Sequence, residues 1–232
     1  MGVDQPQTAS AYRWFTEKLQ ACSEHITPEA TSKALNHPGN DQVRDKILYA
    51  LKTADLGINS VYLDNNPSNQ DKSAISIVHK VTNDAVDTEQ YAIPLEKASI
   101  GTQRFFSQIG PWIIALDKGG ILLVDDIEAS MHPLLTKRLV EMMQNPEINT
   151  NGTQLIFTTH DTMMLNLSFL RRDQIWFVDK NDKTLSSSLF SLWDFSVRKD
   201  ENIQKGYLQG RYGAIPFLGS DILETDTKCT AN

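Results

Sequence analysis

The segment Ile121-Leu-Leu-Val-Asp-Asp126 constrains the fold more than any other part of the chain. An apolar run ending in paired carboxylates suits a buried parallel strand that delivers acids to the carboxyl edge of a sheet, where α/β proteins place their ligands. One helix later a second apolar strand, Gln154 to Thr158, ends at Thr159-His160-Asp161. Such strand ends suit a hydrated divalent cation and a phosphate. Asp125 is the candidate to hold Mg²⁺ through its water shell, Asp126 to face an attacking water, and His160 to contact a terminal phosphate.

A phosphate-binding P-loop requires G-x-x-x-x-G-K-[ST], because glycine amides approach the phosphates while the lysine reaches the terminal ones. No Gly-Lys dipeptide occurs in the sequence, and neither Gly119-Gly120 nor Gly206, Gly210 and Gly213 precedes a lysine. The acids are present without a phosphate cradle.

With 232 residues, 40% hydrophobic and 22% charged, the chain can bury one sizeable core, or one core with a small appendage. A net charge of −7 argues against a broad nucleic-acid surface, although Arg171-Arg172 is a local basic patch. Cys22 and Cys229 lie near opposite ends without C-x-x-C spacing, which fits a reduced, cytoplasmic protein. No apolar run approaches a membrane span, and no leader pattern opens the chain.

Periodicity predicts helices over 7–25 (Tyr12, Phe15, Leu19 and Cys22 at helical spacing), from Thr27-Pro28 to His37, and over 41–54. A strand follows at 58–63, a loop at 64–71, and two further strands at 74–81 and 90–95 that form an antiparallel edge. From Ser99 the grammar becomes helix (102–117), strand (121–125), helix (133–143), strand (154–158) and strand (174–179), which implies parallel strands covered by helices. Leu185 to Leu189 can pair beside the last strand, and Ile203 to Leu208 forms a short helix. Trp112, Trp176, Trp193, Phe105 and Phe106 are expected in the core. The domain reading is a helical segment over 1–57, an α/β domain over 58–218 and a loose tail over 219–232.

The ordered series Ser99-Ile-Gly-Thr-Gln-Arg104, Leu122 to Asp126, Ala129-Ser-Met-His-Pro133 and Thr159-His160-Asp161 resembles the signature, Walker B, D-loop and switch-histidine segments of ABC-like AAA-type ATPases. These are ATP/GTP-binding proteins of prokaryotic abortive-infection and other phage-defence loci. Leu170 to Val178 and Gly206 to Pro216 are similar to that family's carboxy-terminal segments. The resemblance implies a partial P-loop NTPase sheet with flanking helices, an amino-terminal helical segment and a small antiparallel β edge. It also implies ATP and Mg²⁺ as cofactors, conditional on a P-loop supplied in trans. Asp125 would then be the metal ligand, Asp126 and His160 the catalytic pair, and Ser99, Gly101, Thr102 and Ser130 nucleotide contacts made across a dimer.

The chain departs from the family pattern twice. Ala98 stands where signatures carry glutamate, and Asp126 replaces the catalytic glutamate, which implies slow turnover or nucleotide-dependent switching. Ordinary capping is the plain alternative for Ser99 and for the Glu128–Pro133 segment, and surface ion pairing for Arg171, Arg172 and Arg211. His132 is expected at an interface. The implied partners are a second copy or a P-loop-bearing chain, together with an effector protein. The competing classes are a non-catalytic interaction module derived from such an ATPase and a metal-dependent nuclease built on Asp125, Asp126 and Glu128.

Overall fold

A computed structural model describes residues 6–22, 27–54, 56–64, 74–82, 88–181, 183–198 and 201–216. In chain order the elements are α1 (Pro6–Lys18), β1 (Leu19–Cys22), α2 (Glu29–Asn36), α3 (Asp41–Thr53), β2 (Ile58–Asp64), β3 (Ala74–Thr82), β4 (Thr88–Pro94), α4 (Ile100–Lys118), β5 (Ile121–Val124), α5 (Pro133–Gln144), β6 (Gln154–Phe157), β7 (Trp176–Lys180), β8 (Ser187–Ser191) and α6 (Ile203–Leu208). The chain divides into two compact units, Met1–Asp161 and Thr162–Asn232. The loop expected over 64–71 lies outside the described residues from 65 onward, as does the tail expected over 219–232.

In the first unit, α4 is the central helix because its sequence is apolar nearly all round. Phe105, Phe106, Ile109, Trp112, Ile113 and Leu116 are all buried along it. Each such side chain contributes about 1.5–3 kcal/mol when removed from water. Helix α3 buries Val43, Ile47 and Leu51 at successive turns, the stripe expected of a helix covering a core. Both α2 and α3 pack on α4, and α3 also packs on β2.

The parallel sheet has the order β1-β5-β6. Its registers run Leu19↔Ile121 to Cys22↔Val124 on one side of β5 and Ile121↔Gln154 to Val124↔Phe157 on the other. Strand β5 is therefore central, with Leu122 and Val124 buried. A second sheet, β2-β3-β4, is antiparallel throughout, as its alternating strands and polar connections predict.

The helix expected over 7–25 is overturned from Leu19 to Cys22, and its last residues, 23–25, lie outside the described residues. Helix α1 stops at Lys18, and Leu19 to Cys22 become β1. The helical spacing of Tyr12 and Phe15 marks no buried stripe, since both are exposed. Pairing with the central strand outweighs the modest local preference of Leu-Gln-Ala for helix.

In the second unit β7 pairs antiparallel with β8 in a separate two-stranded sheet, so the expected strand over 174–179 does not extend the parallel one. Its core is aromatic: Phe177 stacks on Tyr207 and Tyr212 with centroids 5.5 and 5.7 Å away, and Phe190 and Phe195 close the cluster. Trp176 and Trp193, expected in the core, are exposed. Strand alternation explains Trp176, because Phe177 takes the inward face. Trp193 instead carries the Arg172 guanidinium over its ring at 5.0 Å. Among the described residues no helix is long and apolar enough to cross a membrane.

Candidate functional site

Because Val124 and Phe157 are register partners in parallel strands, Asp125-Asp126 and Thr158 to Asp161 leave the sheet side by side at one edge. Thr158 cross-links them. Its amide donates to the Val124 carbonyl at 3.0 Å, and its carbonyl accepts from the Ile127 amide at 3.1 Å. Its hydroxyl donates to Asp125 Oδ1 at 2.6 Å and accepts from the Asp126 amide at 2.9 Å. One threonine thus fixes both acids, and its only sequence signal is a hydroxyl at the end of an apolar strand.

Asp126 has φ of 47°. Aspartate tolerates this left-handed conformation better than most residues with a side chain, so the shorter acid suits the turn in which it stands. Its carboxylate lies 3.5 Å from His160 Nε2, with side-chain exposures of 40% and 90%. The pair is adjacent and open to an incoming ligand, at a separation too long for a strong hydrogen bond.

Glu128 points elsewhere. Its Oε2 accepts from the Thr159 hydroxyl and its Oε1 from the His160 amide, each at 2.6 Å. The trio Asp125, Asp126 and Glu128 therefore does not converge on a cation, and no group of three or more His, Cys, Asp or Glu among the described residues is arranged to hold one.

A second cluster forms at the start of α4. Ser99 is its N-cap, with Oγ accepting from the Thr102 amide at 3.1 Å and lying 2.8 Å from the Thr102 hydroxyl. Gly101 sits so close to the Ser130 carbonyl that a Cβ there would lie 2.8 Å from the oxygen. Ser130 itself has φ of 61°. Ser99, Gly101, Thr102 and Ser130 are thus gathered in one place, and Asp125, Asp126 and His160 in another. No hydrogen bond among the described residues joins the two groups; the segment 126–131 links them through the backbone.

His132 caps α5, its Nδ1 accepting from the Leu134 amide at 3.2 Å, with Pro133 opening the helix. Arg171 pairs with Asp173 at 2.9 Å, Arg172 donates to the Val197 carbonyl at 3.1 Å, and Arg211 pairs with Glu201. All three arginines are held by their own unit.

The family model described as "AAA domain, putative AbiEii toxin, Type IV TA system" matches residues 35–166. The chain belongs to this AAA-domain family. The matched region runs from the end of α2 past β6 and contains Ser99, Gly101, Thr102, Asp125, Asp126, Ser130 and His160. No curated protein matches the chain.

Three solved structures are similar to this AAA domain. One is the Smc head domain with an extended coiled coil bound to the C-terminal domain of ScpA from Pyrococcus furiosus, at 18% identity over 65% of this chain and 34% of that one, with a TM-score of 0.40. Another is the SmcHead bound to the C-winged helix domain of ScpA, at 16% identity over 65% and 42%, with a TM-score of 0.42. The third is the SMC head domain from Thermotoga maritima, at 12% identity over 74% and 52%, with a TM-score of 0.40. The chain therefore spans between about a third and a half of these solved chains.

Members of AAA families use nucleotide with Mg²⁺, and the donors at the sheet edge fit that ion in kind. Mg²⁺ keeps most of its waters and takes one or two carboxylates beside substrate phosphates. Asp125 offers one exposed carboxylate, steadied at Oδ1 by Thr158.

Proposed function

We propose that this AAA domain is the acidic half of an ATP-hydrolysing site, completed by a P-loop from outside these residues. The observation that carries the reading is the 3.5 Å approach of His160 Nε2 to Asp126 Oδ1 at the ends of adjacent parallel strands. Mg²⁺ bound there would neutralise charge on the phosphates, with Asp125 as its protein ligand. Asp126 accepts a hydrogen bond from the attacking water and orients it. His160, exposed and donating from Nε2, contacts the terminal phosphate. Ser99, Gly101, Thr102 and Ser130 form a separate nucleotide-facing edge, used across a homodimer or against the P-loop-bearing chain. The family description, with its AbiEii toxin and toxin–antitoxin system, supports a place in phage defence beside an effector protein.

The second reading is a non-catalytic interaction module of the same descent. It draws support from Ser99, whose hydroxyl already serves the Thr102 amide and hydroxyl, and from the lack of any Gly-Lys pair in the sequence. One experiment separates the two. The tagged chain is purified from its native host with whatever P-loop protein accompanies it, and ATP turnover is measured for wild type, Asp126→Asn and His160→Ala. The ATPase reading expects turnover to fall at least tenfold in both variants while ATP binding by calorimetry persists. Variants that hydrolyse ATP like the wild type, or a complex that binds no ATP, would leave the interaction module standing. The chain alone is expected to show no tight ATP affinity, and a submicromolar site by calorimetry would overturn that.

A further inference from the structure

The proposed hydrolysis uses Asp125, Asp126 and His160 and leaves Glu128 unassigned, yet Glu128 has both carboxylate oxygens engaged at short range. We propose that Glu128 is a positioning residue, whose carboxylate clamps the Thr159–His160 backbone and so sets the place of the His160 imidazole opposite Asp126. The proposal rests on the reading of His160 as the phosphate contact, and it deepens that reading by naming what holds the histidine.

The His160 side chain is 90% exposed, so packing does not fix it. Its position must come from the backbone that carries it. Every other hydrogen bond from the 125–127 segment to the neighbouring strand end stops at Thr158, two residues short: Thr158 Oγ1 to Asp125, the Asp126 amide to Thr158 Oγ1, and the Ile127 amide to the Thr158 carbonyl. Glu128 reaches past Thr158, its carboxylate accepting from the Thr159 hydroxyl and from the His160 amide. Thr159 Oγ1 in turn accepts from the Asp161 amide at 3.0 Å, so the clamp extends one residue beyond the histidine. Hydrogen bonds to an ionised carboxylate are about twice as strong as neutral ones, which suits a link that must hold an exposed loop.

Glutamate length matters here. In Glu128→Asp the carboxylate would fall one methylene short of both donors, whereas Glu128→Gln would keep the reach and one accepting oxygen for the His160 amide while losing the charge.

Amide hydrogen exchange on the ¹⁵N-labelled full chain tests the clamp without nucleotide, for wild type, Glu128→Ala, Glu128→Asp and Glu128→Gln. Exchange at His160 is read against Leu122 and Leu123 of the central strand. Losing a hydrogen bond to a charged group should accelerate His160 exchange by about tenfold to a hundredfold in the Ala and Asp variants. Glu128→Gln should restore much of the protection, and the Leu122 and Leu123 amides should exchange as in wild type. Should Glu128→Ala fail to fold, Glu128→Asp, which keeps the charge, supplies the same comparison. A His160 amide exchanging at the wild-type rate in either short variant would overturn the clamp. In the ATP-hydrolysing complex, Glu128→Asp should lower kcat with KM for ATP nearly unchanged, and an unchanged kcat beside faster exchange would overturn the positioning role. If His160→Ala leaves hydrolysis intact, the ATPase reading fails while the exchange result stands by itself.

Discussion

Gly101 shows how a single missing methyl group shapes the edge of this site. Alanine is favoured over glycine inside a helix by about 1 kcal/mol, so by propensity alone Gly101→Ala should stabilise α4. Space decides otherwise. The new Cβ would stand 2.8 Å from the Ser130 carbonyl oxygen, a backbone atom that cannot swing away as a side chain would. Ser130 already has φ of 61°, so the segment that must yield is held in an uncommon conformation. Overpacking of this kind costs about 1–3 kcal/mol, more than the propensity gain. Gly101→Ala is therefore expected to lower the urea midpoint without changing the slope of the transition, and a midpoint at or above wild type would mean that the 126–131 segment moves aside. The same crowding gives a physical reason for glycine in a segment that resembles a signature, independent of any contact with nucleotide.

At the scale of elements, the packing of α2 on α4 depends on a hydroxyl inserted where α4 cannot bond to itself. Pro111 lies inside α4 and has no amide to offer the Ser107 carbonyl one turn back. Thr31, fully buried on α2, donates to the Phe106 carbonyl at 2.6 Å and lies 3.2 Å from the Ser107 carbonyl, while accepting from the Gly110 amide at 3.0 Å. Gly110 permits this approach, since a Cβ there would meet Thr31 at 2.5 Å. Thr31→Val keeps the volume but strands these groups in the core, at a cost of about 2–3 kcal/mol, whereas Thr31→Ser keeps the oxygen and should lose much less. Thermal melts followed by the emission of buried Trp112 would check the order wild type, Ser, Val; equal melting of the Ser and Val variants would mean that the hydroxyl carries no weight. This insertion was not legible in the sequence, because it joins residues about eighty positions apart. What was legible were the segments whose local pattern and tertiary role agree: α3 through Val43, Ile47 and Leu51, and β5 and β6 with their acid and histidine ends. Where the two disagreed the sequence misled. Leu19 and Cys22 kept helical spacing but were taken by the central strand, and Trp176 and Trp193 were apolar by type yet lay on the outer side of their hairpin or beside an arginine. Within the candidate site, Asp125, Asp126 and His160 could be singled out because each follows closely on an apolar strand. The bonds made by Thr158 and Glu128 depend on the strand register, which no local pattern specifies.

At the scale of the whole molecule, the second unit differs from the first in how it is held, and pH should expose the difference. Its aromatic core includes Tyr212, 2% exposed, whose hydroxyl donates to Glu201 at 2.8 Å beside Arg211. Burial first, and then the bond to Glu201, push the Tyr212 phenol up to about 12 from an ordinary value of 10.0. The unfolded chain releases this proton near pH 10 while the folded unit retains it to about 12, so the folded state binds more protons across that interval. The contribution is therefore complete below pH 10 and is lost as pH rises through 12, an effect on the order of 2–3 kcal/mol. Glu201 works in the opposite sense: the Tyr212 hydrogen bond, followed by the bond from the Arg198 amide and the Arg211 charge, holds its carboxyl below the ordinary 4.5. Its contribution is present above that value and is lost in acid as pH falls through the folded value. Tyr212→Phe removes the titrating phenol and the largest influence on Glu201 together. At neutral pH the variant should be less stable than wild type, and the gap should narrow steadily between pH 10 and 12 because only the wild type has this proton to lose. Denaturant unfolding followed by near-ultraviolet circular dichroism of the stacked Phe177, Tyr207 and Tyr212 rings would measure it. A gap that stays constant to pH 12 would mean that Tyr212 ionises as freely in the folded unit as in the unfolded chain, and that its burial among the rings is not what holds the hydroxyl to Glu201.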